Sequence, residues 1–113
     1  MSPQMERSPE STDIVLYGGR LVLSKTTPTV EIDGEQHTLS SIEYPLLLFL
    51  AEHADTVCMY ADIVRYVWGY DTLDESIVRG LNVWICYVRR LLMPLGDRVI
   101  QTIRGVGYRM SSS

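Results

Sequence analysis

The stretch Val99-Ile-Gln-Thr-Ile-Arg-Gly-Val-Gly-Tyr-Arg-Met110, close to the C-terminus, decides how this chain folds. Two short runs of β-forming residues, 99–103 and 106–110, flank an Arg104-Gly105 corner. Such runs around a glycine-containing corner predict a tight β-hairpin. The hairpin is the last predicted element, and the segment directly before it indicates what the hairpin could bind.

That segment, roughly residues 76–93, predicts the longest helix. Leu81, Ile85, Val88 and Leu92 recur at helical spacing and predict a buried stripe. The opposite face carries aromatic residues between arginines where Glu and Lys are usual, namely Arg79, Gly80, Val83, Trp84, Cys86, Tyr87 and Arg90. A helix followed by an arginine-tipped hairpin suits the groove and backbone of duplex DNA. The alternative is a solvated hairpin that only closes a small domain.

The rest of the chain predicts a small sheet and two more helices. Ser40 and Glu43 form a capping box that begins a helix ending near His53. A second helix covers roughly residues 60–68 and lacks a capping side chain at Met59, and a polar loop follows over residues 69–75. Residues 1–13 are polar and predict a linker or disordered lead-in to one domain over residues 14–111. Four β-prone runs predict an antiparallel meander: 14–17, 20–24, 29–32 and 36–39.

Charge is distributed unevenly along the 113 residues. Residues 1–64 hold three basic and ten acidic side chains, whereas residues 65–113 hold seven arginines and four acidic side chains. The overall charge of −4 therefore hides a basic C-terminal half, which can steer a polyanion onto one face.

No catalytic or metal-binding pattern is present in the sequence. The two cysteines and two histidines lack metal-ligand spacing, and no nucleophile has a partner base at a recognisable spacing. We therefore expect no enzyme activity, no metal and no cofactor. The absence of a long apolar run or signal peptide predicts a soluble, cytoplasmic protein without membrane contact.

In the order of its predicted elements and in its sequence motifs, the chain resembles the OmpR/PhoB-type winged helix-turn-helix output domains of bacterial response regulators. Leu39-Ser-Ser-Ile-Glu43-Tyr44 is similar to the family's first-helix start, and Val67-Trp68-Gly69 to its second-helix end. Residues 81–90 resemble the recognition helix, and residues 102–108 match the family's wing almost letter for letter. The resemblance implies an α+β winged helix-turn-helix fold with an N-terminal antiparallel sheet, three helices and a C-terminal hairpin wing.

The resemblance also implies a role for individual residues. Arg79 and Arg90 would hold phosphates, Val83 and Tyr87 would face base edges in the major groove, and the predicted DNA-binding set includes their neighbour Trp84. Arg104 would enter the adjacent minor groove, with Thr102 on a phosphate. The loop of Tyr70, Asp71, Thr72, Leu73 and Asp74 would contact RNA polymerase. Two copies would lie head-to-tail on direct repeats.

Several positions depart from the family pattern. The family's usual Asp in the recognition helix is Asn82, the Lys after the arginine pair is Leu91, and Ser-Arg at the second helix is Met59-Tyr60. Each change removes polarity or positive charge from the predicted DNA side. We expect sequence-specific duplex DNA binding in transcription regulation, as a two-component output domain or a stand-alone relative. The alternative is a protein-interaction module on a winged-helix scaffold.

Overall fold

A computed structural model describes residues 13–113, so the predicted lead-in lies outside the described residues except for Asp13. The N-terminal meander is confirmed as a four-stranded antiparallel sheet in the order β1-β2-β3-β4. Alternating side chains of these short strands, such as Leu21 and Leu23, are buried on its inner face. The strands are β1 (Ile14–Leu16), β2 (Leu21–Leu23), β3 (Thr29–Ile32) and β4 (Glu35–Thr38).

Three helices share one hydrophobic core with this sheet. The capping box is confirmed, because the Ser40 amide donates to Glu43 Oε1 and the Glu43 amide to Ser40 Oγ, each at 3.0 Å. The regular helix begins only at Glu43, which places Pro45 in the first turn, where a missing N–H is tolerated. The helices are α1 (Glu43–Glu52), α2 (Tyr60–Trp68) and α3 (Glu75–Leu91).

The bounds of α3 differ slightly from the predicted 76–93. The helix begins at Glu75 because the Asp74 side chain accepts the Ile77 amide at 2.9 Å and so caps the first turn. It ends at Leu91, and a 3₁₀ turn, Met93–Leu95, contains Pro94. The predicted stripe of Leu81, Ile85, Val88 and Leu92 is confirmed as buried.

The C-terminal hairpin is confirmed, but it belongs to a three-stranded sheet that the sequence did not predict. Strand β5 (Val57–Met59) pairs antiparallel with β7 (Gly107–Met110), which also pairs with β6 (Ile100–Ile103). Met59 offers no side-chain cap to α2, as expected, yet the Tyr60 amide at that helix start donates to the Val106 carbonyl at 3.0 Å. The wing sheet therefore packs directly against the start of α2.

Candidate nucleic-acid interface

One face of α3 presents four of the predicted DNA-binding residues to solvent. Arg79, Val83, Tyr87 and Arg90 follow one another at intervals of four, four and three residues, which places them in a single row. Val83 is 48% exposed and Tyr87 is 43% exposed, although both are large and apolar. The Arg90 guanidinium lies 5.9 Å from the centroid of the Tyr87 ring and supports that ring from one side.

Trp84 does not belong to this exposed row, and its predicted place on the outer face is wrong. The indole is half-buried and packs against the core, because Trp84 lies three residues after Leu81 and four before Val88. Its ring meets Tyr87 edge to face, with centroids 5.3 Å apart. Trp84 therefore supports the position of Tyr87, and its own contact with DNA stays a prediction.

Arg104 is the first residue of the turn that joins the two strands of the wing. The Val106 amide donates to the Ile103 carbonyl at 2.9 Å, and Gly105 takes a φ of 75° that favours glycine. The Arg104 side chain is exposed, and within residues 13–113 it has no hydrogen bond or ion pair. Its guanidinium is therefore available to a ligand.

Arg89 is oriented differently from the other two arginines of α3. It lies four residues after Ile85, at the border of the buried stripe, and its side chain turns toward the wing. Its Nε and Nη2 donate to the Ile100 carbonyl at 3.1 and 2.9 Å, and Nη2 also donates to Thr102 Oγ1 at 2.8 Å. The Nε and Nη2 donors of Arg89 are therefore used within the described part of the protein, unlike those of Arg79 and Arg90.

Tyr108 joins the same helix to the other strand of the hairpin. Its ring is buried between Tyr60, edge to face at 5.8 Å, and the Arg89 guanidinium, also 5.8 Å from the ring centroid. Its hydroxyl donates to Asn82 Oδ1. Burial raises the pKa of Tyr108 to about 12, so the phenol stays protonated as the donor. Asn82, which replaces the family's usual Asp, thus has an internal partner that the sequence did not indicate.

The loop between α2 and α3 is exposed as predicted. Tyr70 is 46% exposed and Leu73 is 42% exposed, and the Tyr70 ring stacks on Trp68 with centroids 6.0 Å apart. Asp74 has a structural role within this loop, because its carboxylate caps α3. The hydrogen bond from the Ile77 amide holds the pKa of Asp74 below its usual range.

The part of the chain that the structure describes gives little support for a metal site or a membrane span. Residues 13–113 bring together no group of three or more His, Cys, Asp or Glu side chains that could hold a metal ion. Cys58 is buried, which raises its thiol pKa, and Cys86 is exposed on α3. None of the described helices is both long and apolar enough to span a membrane.

A family model described as the C-terminal domain of transcriptional regulatory proteins matches residues 34–110, which include all three helices and the wing. The chain belongs to this family. The family is one of transcription regulators and is not a class of enzymes. Together with its fold, the match identifies the chain as a winged-helix output domain of the OmpR/PhoB type.

Individual relatives agree with this assignment. The response regulator ArlR of Staphylococcus saprophyticus is 38% identical over 105 residues, which cover 92% of this chain and 46% of ArlR. The chain thus spans about half the length of the curated relatives it matches. The Klebsiella pneumoniae RstA DNA-binding domain, solved with the RstA box, is 25% identical with a TM-score of 0.75, covering 90% of this chain and 99% of that one. The Thermotoga maritima OmpR/PhoB homologue DrrB is 30% identical with a TM-score of 0.70, covering 96% and 48%.

Proposed function

We propose that this domain binds duplex DNA sequence-specifically and regulates transcription as the output domain of a bacterial response regulator. The row of Arg79, Val83, Tyr87 and Arg90 on α3 carries the proposal. This row has cations at both ends and apolar side chains between them, which fits a helix lying in the major groove between two phosphate backbones. In the solved RstA domain, a similar fold is bound to the RstA box, which supports the same use here.

The arginines and the apolar residues of this row would then have different roles. Arg79 and Arg90 hold phosphates and supply affinity without sequence preference, whereas Val83 and Tyr87 contact base edges and supply discrimination. Arg104 enters the adjacent minor groove, and Thr102 donates its hydroxyl to a phosphate. Apolar side chains suit thymine methyl groups better than guanine edges, so we expect thymine at the positions that Val83 and Tyr87 contact.

The decisive experiment measures the salt dependence of binding. A high-affinity duplex is first selected from a random library, and binding is then followed by fluorescence anisotropy at several salt concentrations. Arg79→Ala and Arg90→Ala should each weaken binding to all duplexes and lower the slope of log K against log salt by about one unit. Arg98→Ala is the matched control, because this exposed arginine lies at the base of the wing, away from α3's exposed row. Unchanged slopes in both α3 variants would refute the proposed DNA face.

A second candidate is a protein-interaction module. The exposed Val83 and Tyr87 form an apolar surface, and the basic residues missing at Leu91 and Met59-Tyr60 weaken the case for DNA. The protein-interaction module would be favoured if selection from the random library enriched no duplex and if DNA binding did not weaken steeply with salt.

The wider assembly follows from the same proposal. The exposed loop of residues 70–74 would contact RNA polymerase in the cytoplasm, and two copies would lie head-to-tail on direct repeats. The domain responsible would comprise residues 14–111, with residues 1–13 as a lead-in. We therefore expect the domain to bind a duplex with one half-site more weakly than a duplex with two half-sites.

A further inference from the structure

Two ties connect α3 to the wing, one to each strand of the hairpin. The guanidinium of Arg89 bonds the Ile100 carbonyl and the Thr102 hydroxyl on β6, whereas Asn82 accepts from Tyr108 on β7. Asn82 and Arg89 are seven residues apart, two turns along one side of the helix and roughly 10 Å in distance. Two ties at that separation restrict the orientation of the hairpin as well as its distance from α3.

The fork geometry of Arg89 makes its tie a rigid one. A planar guanidinium with donors fixed in one plane loses little freedom for each bond that it forms, unlike the single flexible ammonium of lysine. The bond to Thr102 also orients that residue. Because Thr102 Oγ1 accepts from Arg89, its own O–H hydrogen is left to donate outward.

We infer that Arg89 is a positioning residue, which sets the orientation of the wing relative to α3 so that Arg104 and the exposed row act on DNA as one rigid surface. This inference rests on the proposed function for its effect on DNA. The Nε and Nη2 donors of Arg89 are directed to Ile100 and Thr102, so the inference assigns it no base or phosphate contact of its own. Its contribution reaches DNA through Arg104 and Thr102.

The test uses variants that separate geometry from charge. Arg89→Gln removes both the fork and the charge, whereas Arg89→Lys keeps the charge and removes only the fork. Arg90→Gln is the comparison for a phosphate contact, and Arg98→Gln is the control outside the site. Affinity is measured on two duplexes that share one selected core and differ only in A·T-rich or G·C-rich flanks, because a narrow minor groove attracts an inserted arginine.

Loss of the fork should lower the preference for A·T-rich flanks to within about twofold of the Arg104→Ala value. The flank preference of Arg89→Lys should decrease as much as that of Arg89→Gln. In the Arg104→Ala background, adding Arg89→Gln should leave the salt slope unchanged, whereas adding Arg90→Gln should lower it by about one unit. Adding Arg89→Gln to Arg104→Ala should change the flank preference no further, since both act through the same side chain.

Three results would overturn the inference. A salt slope lowered by about one further unit when Arg89→Gln is added to Arg104→Ala would make Arg89 a phosphate contact. An unchanged flank preference, or effects of Arg89→Gln and Arg104→Ala that simply add, would limit Arg89 to stability alone. Thermal unfolding identifies any variant that fails to fold, and Arg89→Lys then carries the measurement.

A measurement without DNA separates this inference from the proposed function. In the wild type, residual dipolar couplings of the amides in α3 and in the hairpin should fit one common alignment. In Arg89→Gln each element should still fit by itself, but the two should no longer share that alignment. A common alignment retained in Arg89→Gln would refute the positioning role, whatever the domain binds.

Discussion

At the scale of single residues, Arg20, Arg89 and Arg104 differ in their hydrogen-bond partners. Arg20 is bonded to Asp33 at 2.7 and 3.0 Å and to the Pro94 carbonyl at 3.1 Å, and Arg89 is bonded to the wing. Arg104 has no such partner among the described residues. An arginine in a hairpin turn without an internal partner contributes little to stability, which is consistent with the proposed binding role of Arg104.

Arg104→Ala should therefore leave the melting temperature almost unchanged and weaken DNA binding by roughly tenfold, the loss of one hydrogen bond to a charged group. The loss should be larger on A·T-rich flanks than on G·C-rich flanks, because the narrower groove carries the more negative potential. Calorimetry and anisotropy on the same samples check both parts. A large fall in melting temperature would instead make Arg104 a structural residue and withdraw its role in the minor groove.

Tyr87 should act on discrimination and not on general affinity. Tyr87→Ala should lose about 1–3 kcal/mol of preference for the selected duplex over random duplex, because the contact to a base edge disappears. Binding to random duplex should change little, since the proposed phosphate contacts of Arg79 and Arg90 would remain. Equal losses on selected and random duplexes would show that Tyr87 serves packing with Trp84.

At the scale of elements, the wing sheet depends on one close approach between backbones. Gly107 on β7 is buried opposite Met59 on β5, and a Cβ built there would overlap the Cys58 carbonyl oxygen and approach Met59 Cα to 3.0 Å. Gly107 has no positive φ, so the turn does not require glycine at this position. The neighbouring strand β5 instead excludes a side chain here.

Gly107→Ala should destabilise the domain by about 1–3 kcal/mol, because β5 must separate from β7 to accommodate the methyl group. Gly80→Ala is the matched control. A Cβ at Gly80 meets nothing within 4 Å, so this change in the helix interior should stabilise the domain by about 0.5–1 kcal/mol. Urea unfolding of both variants measures the free energies. The same sign of effect in the two variants would contradict the close approach of β5.

At the scale of the whole molecule, the C-terminal segment joins the two sheets. The Tyr17 amide after β1 donates to the Ser112 carbonyl at 2.9 Å, and the Ser111 amide donates to the Val99 carbonyl at 2.8 Å. Asp55, before β5, accepts from the Ser112 amide at 3.1 Å and from the Ser112 hydroxyl at 2.5 Å. The N-terminal sheet and the wing sheet are thus linked by the last residues of the chain.

These links predict a loss of stability in acid. The hydroxyl of Ser112 holds the pKa of Asp55 below its usual range, and Arg20 does the same for Asp33. Because an unfolded aspartate titrates near 3.9, the unfolded chain takes up these protons first. The stabilisation is present above that pH and is lost as the pH falls through the lower pKa values of the folded state.

The urea midpoint should therefore decrease between about pH 5 and pH 2. Asp55→Asn is the matched variant, because asparagine tolerates the positive φ of 68° at this position but does not titrate. Its midpoint should be lower at neutral pH and should depend less on pH. A midpoint that stays constant down to pH 3 in the wild type would contradict the prediction.

Several elements could be predicted from the sequence because their signals are local. The helical stripe that includes Leu81 and Ile85, the capping box of Ser40 and Glu43, and the glycine corner of the wing each depend on residues within a few positions of one another. These signals predict three helices, a meander and a terminal hairpin in the observed order. They also predict which face of α3 is buried and, apart from Trp84, which predicted residues of α3 are exposed.

Contacts between distant parts of the chain could not be predicted in this way, because they form only in the folded domain. Strand β5 has three residues and exists because it pairs with β7 about fifty positions later, and no local pattern encodes that pairing. Arg89 lies at the border between the core and the solvent, where a long side chain can extend either way. The Ile100 carbonyl and the Thr102 hydroxyl direct it to the wing, and they are near Arg89 only in the folded domain.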